Sequence, residues 1–329
     1  MSEEPERGWR PPDAVLRAAF AGLLCGSCSG TQSALDPAGH EAAEVLTLFW
    51  VMLVGAALIW TVVIGAAVFG GRFQKKPIDE RAGLRIVLWA GAVFPTVVLA
   101  ALLVFGLRLM PVLRAAEPAL RIEVSGEQYW WRVTYLGPDD TRIESANELR
   151  LPVGRAVELI LTSADVIHSL WIPTLAGKMD MIPGRTNRLV LRPERTGIYR
   201  GACAEFCGRS HALMAFPVVV MEPAEFDAWL ARETAPAPPG RDPGAFLASG
   251  CGGCHTVRGS EAAGTIGPDL THLADRRTLG AGILPNTPEN LKRFIADTER
   301  VKPGVRMPSF GMLPGADIEA IAAYLGSLK

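Results

Sequence analysis

Three apolar runs occupy the first third of the chain, and no later stretch resembles them. The first, 18–24, follows Arg10 and Arg17 and leads into small residues around Cys25 and Cys28. The second, 45–71, is 27 residues without a charge, and the third, 86–107, is 22 residues without one. The longer two exceed the ~20 residues that a helix needs to cross the hydrocarbon core. They predict a transmembrane helical hairpin over 45–110. The first run is too short to span and suits the apolar part of an export signal over 1–27, which leaves 28–44 as an outer N-terminal segment. A lipoprotein-type cleavage before Cys28 is expected, although Cys25 stands where such signals usually have leucine, so an ordinary signal or an uncleaved tail stays open. The loop 72–85 holds five Lys or Arg against two acids, and 29–44 holds three acids with no Lys or Arg. By the positive-inside rule the loop is cytoplasmic and both flanks lie outside.

Past residue 117 the pattern shortens. Runs rich in β-formers at 121–136, 156–162, 188–191, 197–202 and 216–221 are broken by Gly- and Pro-containing turns. That rhythm predicts a sandwich or barrel over 117–232. The stretch 233–243, ETAPAPPGRDP, predicts a semi-rigid linker. In 244–329 the helical candidates are 245–247, 288–298 and 316–328, the last with an apolar stripe at Ile318, Ile321, Ala322 and Leu325. The predicted fold class is therefore a multidomain membrane protein: a two-helix hairpin, an all-β domain and an all-α domain.

Composition narrows the function. Of the 329 residues 49% are hydrophobic and only 20% charged, below the ~25% charged of soluble domains. The net charge of −1 lacks the basic footprint of a nucleic-acid binder. The six cysteines fall in three close pairs of different spacing, which points to separate chemistries and not to one disulfide framework.

The densest chemistry is Cys203-Ala-Glu-Phe-Cys207-Gly-Arg-Ser-His211-Ala-Leu-Met214, with His168 upstream. Thiolate, imidazole and thioether together suit copper. A mononuclear site needs one cysteine; two thiolates on one tight loop can bridge two coppers, each copper taking one histidine, with Met214 and a backbone oxygen as weak axial ligands. A disulfide would leave His168, His211 and Met214 unexplained, and zinc rarely takes methionine.

The runs 163–173, 177–187 and 201–214 resemble subunit II of the haem–copper cytochrome c oxidases, and the resemblance extends over about 29–230. It implies a cupredoxin-like Greek-key barrel bearing the dinuclear copper centre CuA. The implied ligands are His168, Cys203, Cys207, His211 and Met214, with the backbone carbonyl of Glu205. The same resemblance implies that the Glu205 carboxylate reaches Mg2+ at the border with subunit I. Two departures stand out. The family's Q-W-x-W patch, proposed to admit electrons, reads Gln128-Tyr129-Trp130-Trp131, and the stretch 83–89 before the second span has no acid.

Cys251-Gly-Gly-Cys254-His255 is the C-x-x-C-H signal for covalent haem c. With Gly267-Pro-Asp-Leu270 and Arg306-Met-Pro308 it resembles a class I cytochrome c, in which Met307 would be the sixth ligand. Met312 and His272 compete for that role. A subgroup of the same oxidase family carries such a domain as a C-terminal fusion, which extends the resemblance to residue 329.

The resemblance implies the electron-uptake subunit of a proton-pumping cytochrome c oxidase in a bacterial inner membrane, multi-pass, with its copper and haem domains on the periplasmic face. Electrons would pass from haem c to CuA and on to subunit I, where O2 is reduced to water. Implied partners are subunit I, subunit III and an external donor, either a cytochrome c or a quinol–cytochrome c reductase. This chain has five histidines, too few to build the O2 site as well, so it would not reduce O2 alone. The rival readings are a standalone membrane-anchored haem c/CuA electron carrier and a copper-assembly protein.

Overall fold

The computed structural model describes residues 29–74, 77–112, 120–137, 139, 141–238 and 241–329. The expected export signal and Cys28 lie outside them. Two long helical segments come first: α1 (His40–Arg72), and α2 (Glu80–Ile86) continuing through a π turn (Val87–Val93) into α3 (Phe94–Val112). The π turn has a local cause. Pro95 has no N–H to give, and the Phe94 N–H reaches five residues back to Trp89. Both segments are long and apolar enough to cross a membrane, and none of either apolar window is buried against the rest of the chain. The base of α1 is pinned to the domain that follows. Glu41 is buried, accepts from Arg192 N at 2.9 Å and pairs with its guanidinium at 3.3 Å. Gly39 sits where a Cβ would stand 2.7 Å from the Leu175 carbonyl oxygen.

The β domain has two five-stranded sheets. One has the order β3 (Arg142–Ala146), β2 (Trp130–Leu136), β1 (Leu120–Glu127), β5 (Val157–Ser163), β8 (Asn187–Leu191). The other has β4 (Leu149–Pro152), β10 (Ala215–Met221), β9 (Gly197–Cys203), β6 (His168–Trp171), β7 (Met179–Met181). The run 121–136, one β segment in the sequence pattern, is a hairpin closed by the pair Glu127 and Trp130. Period-two alternation puts Ile122 and Val124 of β1, and Trp131, Val133 and Tyr135 of β2, into the core. Helix α4 (Pro223–Glu233), not foreseen from the sequence pattern, closes one end. Its i,i+3 pair Phe226 and Trp229 packs on Tyr135 with ring centroids 6.2 and 5.1 Å away, contacts of the kind worth ~0.5–1.5 kcal/mol each beyond area burial.

The C-terminal domain is helical: α5 (Gly244–Ala248), α6 (Pro288–Ala296), α7 (Thr298–Val301) and α8 (Gly315–Leu325), with a two-residue ladder of β11 (Thr278–Leu279) and β12 (Leu284–Pro285). Thr287 caps α6 by accepting from Asn290 N, and Pro288 opens its first turn. Leu291, Ile295, Ile321, Ala322 and Leu325 meet Phe246 in a separate core.

The stretch 233–243 differs from a free spacer. Glu233 is buried as the last residue of α4, Ala237 N donates to Arg258 O at 2.9 Å, and Pro236 abuts Gly259. The two domains also touch directly. Gly280, Ala281 and Gly282 all have positive φ (62°, 63° and 81°), and the knuckle they form pushes Ala281, fully buried, into the β-domain core. The Ala281 carbonyl accepts from Ala215 N at 3.1 Å. Arg277 N donates to Glu148 at 2.9 Å, and Arg150 donates to Asp275 O at 2.8 Å.

Candidate metal and haem centres

Three strand ends and one loop bring the sulfur and imidazole groups together. Cys203 ends β9, His168 begins β6, Cys207 lies in the loop, His211 is on a 3-10 turn (His211–Leu213), and Met214 directly precedes β10. Antiparallel pairing of β6 with β9, Leu170 opposite Cys203, carries the upstream histidine to the loop. The Cys203 and Cys207 sulfurs are 4.0 Å apart, about twice a disulfide bond, and both thiols are free. Each faces one imidazole: Cys203 Sγ to His168 Nδ1 is 3.8 Å, and Cys207 Sγ to His211 Nδ1 is 3.6 Å. Met214 Sδ lies 3.8 Å from Cys207 Sγ, and the Glu205 carbonyl oxygen 3.2 Å from Cys203 Sγ. His168, Cys203, Cys207 and Met214 are all buried.

This donor set fits a pair of copper ions. Two soft sulfurs stand side by side, each has an imidazole nitrogen on one flank, and a weaker donor, Met214 Sδ or the Glu205 carbonyl, lies beside each. The Glu205 carboxylate points elsewhere, 3.7 Å from Lys178 Nζ and half exposed.

The surroundings fix these groups. Asp165 Oδ1 accepts from His168 Nε2 at 2.9 Å, which leaves Nδ1 turned toward the sulfurs. A carboxylate on the far nitrogen of a ligating histidine sets its tautomer and basicity. Asp165 is itself held by Gln128 N and Val166 N, both at 2.8 Å. Burial opposes ionisation of Asp165, yet the bond from His168 and these two N–H groups outweigh it and hold the carboxyl below its ordinary range. Burial likewise opposes charge on His168, and the bonds to Cys203 and Asp165 raise it regardless. The two thiols hydrogen-bond to each other. Their mutual hydrogen bond holds Cys203 down, against burial, and pushes Cys207 up. The pair thus already holds part of the thiolate character that a metal needs. Gln128 Nε2 donates to Cys207 O at 2.6 Å, and Trp131 Nε1 to Met214 O at 3.4 Å. The sequence reasoning missed Asp165 and also Gly126, where a Cβ would stand 2.8 Å from the His168 ring. The D-x-x-H spacing was the available signal for the aspartate.

In the helical domain Cys251 begins a 3-10 turn after Gly250, whose φ is 77°. Cys254 is exposed and Cys251 half-buried, both as free thiols. His255 Nδ1 donates to Pro268 O at 2.8 Å, which leaves Nε2 as the free ligand nitrogen. Burial lowers its proton affinity and keeps it neutral, the ligating form. Gly267 is required beside it, since a Cβ there would lie 2.5 Å from His255 Cε1. These groups fit a covalently held haem. Met307 and Cys251 border the same core. Met312 is 77% exposed, and His272 is engaged elsewhere, 3.1 Å from Ala235 O.

Comparison with known proteins agrees with this architecture. Residues 122–222 match the family profile described as cytochrome C oxidase subunit II, periplasmic domain, and residues 243–329 match cytochrome c. A cytochrome c oxidase subunit 2 from Alkalihalophilus pseudofirmus is 32% identical over 344 residues, which span 98% of this chain and 98% of the relative. One from Bacillus sp. (strain PS3) is 37% identical over 63% of this chain and 62% of its own. Among solved structures, the periplasmic domain of subunit II of cytochrome oxidase from Bradyrhizobium japonicum is similar at 31% identity, covering 36% of this chain and 96% of that one, with a TM-score of 0.34.

Proposed function

This chain belongs to the cytochrome c oxidase subunit II family and carries a cytochrome c domain at its C-terminus, and we propose that it is the electron-uptake subunit of a proton-pumping oxidase. When bound, haem c and the dinuclear CuA centre supply the one-electron chemistry, taking electrons from an external donor toward subunit I, where O2 is reduced to water. The single observation that carries the reading is the pair of buried sulfurs 4.0 Å apart, each facing an imidazole nitrogen within 3.8 Å.

The chain's own residues do the binding and holding. His168, Cys203, Cys207, His211 and Met214, with the Glu205 carbonyl, hold the copper pair. The β-sheet packing around His168 and the bonds of Asp165 and Gln128 fix its ligands before copper binds, so a change of charge meets little rearrangement. Cys251 and Cys254 would hold haem c covalently, and His255 and Met307 would bind its iron. Glu205, half exposed beside Lys178, is the group offered to Mg2+ at the subunit I border. Helices α1 and α3 anchor the chain as a two-span protein of the bacterial inner membrane, with both redox domains periplasmic. Lipidation of Cys28 would add a second anchor. Beyond subunit I, the partners are subunit III and a donor cytochrome c or quinol–cytochrome c reductase.

Electron paramagnetic resonance of the copper-loaded chain tests this. One unpaired spin coupled to two copper nuclei is expected; coupling to a single copper would overturn it. Copurification with a many-span haem protein separates an oxidase subunit from a standalone carrier, and a copper-assembly protein would hold no haem.

A further inference from the structure

A small cavity lies in the seam between the β domain and the haem domain. Its volume is about 10 Å3, room for about one water molecule. The β domain lines it with Glu148, with Arg150 of β4, and with Trp229 and Glu233 of α4. The haem domain lines it with His272, Asp275 and Arg276. Glu148 is 4% exposed, Glu233 5%, His272 6% and Arg276 8%, so the seam holds ionisable groups almost out of reach of solvent.

The cations there are committed, and not to Glu233. Arg150 pairs with Glu148 at 2.7 Å and donates to Asp275 O at 2.8 Å. The second oxygen of Glu148 accepts from Arg277 N at 2.9 Å. Arg276 donates to the Asp269 carbonyl, and His272 Nε2 to Ala235 O at 3.1 Å. Among the described residues the Glu233 carboxyl has no hydrogen bond and no ion pair. A carboxylate so placed has lost water and gained no partner, which favours the neutral acid. Burial raises the Glu233 carboxyl above its ordinary range, and the nearby His272, Arg276 and Arg150 offset this only in part, with Asp275 adding to the rise. Trp229 Nε1, buried without a partner among the described residues, is a donor for the one water that the space can hold.

We propose that the haem domain docks on the β domain with one proton bound at Glu233, so that docking loosens when the surrounding solution turns alkaline. Withdrawing the haem domain removes His272, Asp275 and Arg276 from one wall and lets water reach Glu233, which then ionises like a surface glutamate. Docking therefore takes one proton from solution and turns the carboxylate into the acid. It is strongest below the ordinary glutamate range and weakens as pH rises through the higher value of the docked state. Its consequence, slower transfer from haem to copper at alkaline pH, rests on the function proposed above.

The test is hydrogen–deuterium exchange of the full detergent-solubilised chain with copper and haem bound, from pH 5 to pH 9, each rate divided by the intrinsic rate at that pH. Two amides report on docking: Ala215 N, which donates to Ala281 O, and Arg277 N, which donates to Glu148. In the native chain their protection should fall by up to about tenfold per pH unit across the window, the slope of one proton. Glu233→Gln copies the neutral acid and cannot titrate, so its protection should stay at the native low-pH level throughout. Every other titrating group, Lys302 included, is common to both chains, and the ratio of the two reads Glu233 alone. Infrared spectra at pH 5 should show a protonated carboxyl band in the native chain that the Gln variant lacks. Native protection that does not change with pH would overturn the proposal, and so would parallel slopes in the two chains. A Gln variant that stays unprotected at every pH would overturn it too, because a docked acid implies that a neutral group of the same shape is accepted. If protection behaves as stated but the native chain passes no electron from haem to copper, the functional reading fails and the latch stands.

Discussion

Lys302 allows a sharp energetic prediction. It lies at the end of α7, is 2% exposed, and its ammonium donates to the Gly280 carbonyl at 2.5 Å. No carboxylate among the described residues pairs with it. Burial pushes its pKa down from 10.5 to about 7, against an attraction to Cys207. The unfolded chain keeps an ordinary lysine, so between these two values it binds a proton that the folded chain lacks, and stability rises with pH across that window. Below pH 7 the buried charge costs ~5 kcal/mol, at ~1.4 kcal/mol per tenfold change in proton affinity. Lys302→Met removes that cost but strands the Gly280 carbonyl, a loss of ~1–3 kcal/mol. At pH 6 the variant should therefore be more stable by ~2–4 kcal/mol, in line with buried charges replaced by apolar groups. Above pH 10.5 the neutral amine still donates, and the variant should be less stable by ~1–3 kcal/mol. The two curves should cross at about pH 9. Denaturant unfolding of the copper-free chain, followed by circular dichroism at pH 6 to 10.5, reads this directly. A variant less stable at every pH, or a difference that does not change with pH, would refute the reasoning.

Other outcomes follow from the two centres and the hairpin. Cys203→Ser and Cys207→Ser should each abolish the two-copper resonance signal, because among the described residues no other thiolate stands near enough to take its place; a retained mixed-valence signal in either variant contradicts the ligand set. Gly267→Ala should drive a methyl into the His255 ring and lower haem incorporation, scored by the pyridine haemochrome spectrum against unchanged copper binding. Met307→His should lower the haem potential, since imidazole favours ferric iron more than thioether does; an unchanged potential in redox titration would remove Met307 from the iron. A cysteine placed at Gln74 should react with membrane-impermeant maleimide only from the cytoplasmic side, and periplasmic labelling would invert the hairpin.

The sequence alone determined what is local. Two uncharged runs of 27 and 22 residues specify long apolar helices whatever surrounds them. The spacing of Cys203, Cys207, His211 and Met214, and of Cys251, Cys254 and His255, points to the chemistry because each set of candidate ligands shares one short segment. Runs rich in β-formers, such as those that become β5 and β10, were legible for the same reason. Helix α4 and strands β4, β6 and β7 were not, being short, mixed in polarity and stabilised by what they pack on. Of the groups around His168, Asp165 stands three residues before it and was open to a local reading, whereas only tertiary structure decided Gly126, which makes room for the imidazole ring from a strand of the facing sheet, far away in sequence. The stretch 233–243 reads as a spacer from its prolines, since composition registers stiffness but not the surface that the chain lies against. The docking of the two domains was equally hidden, because the knuckle at 280–282, with three positive φ angles, buries Ala281 in another domain's core. Burial of this kind depends on neighbours brought from elsewhere in the chain, and no residue's own sequence context contains them.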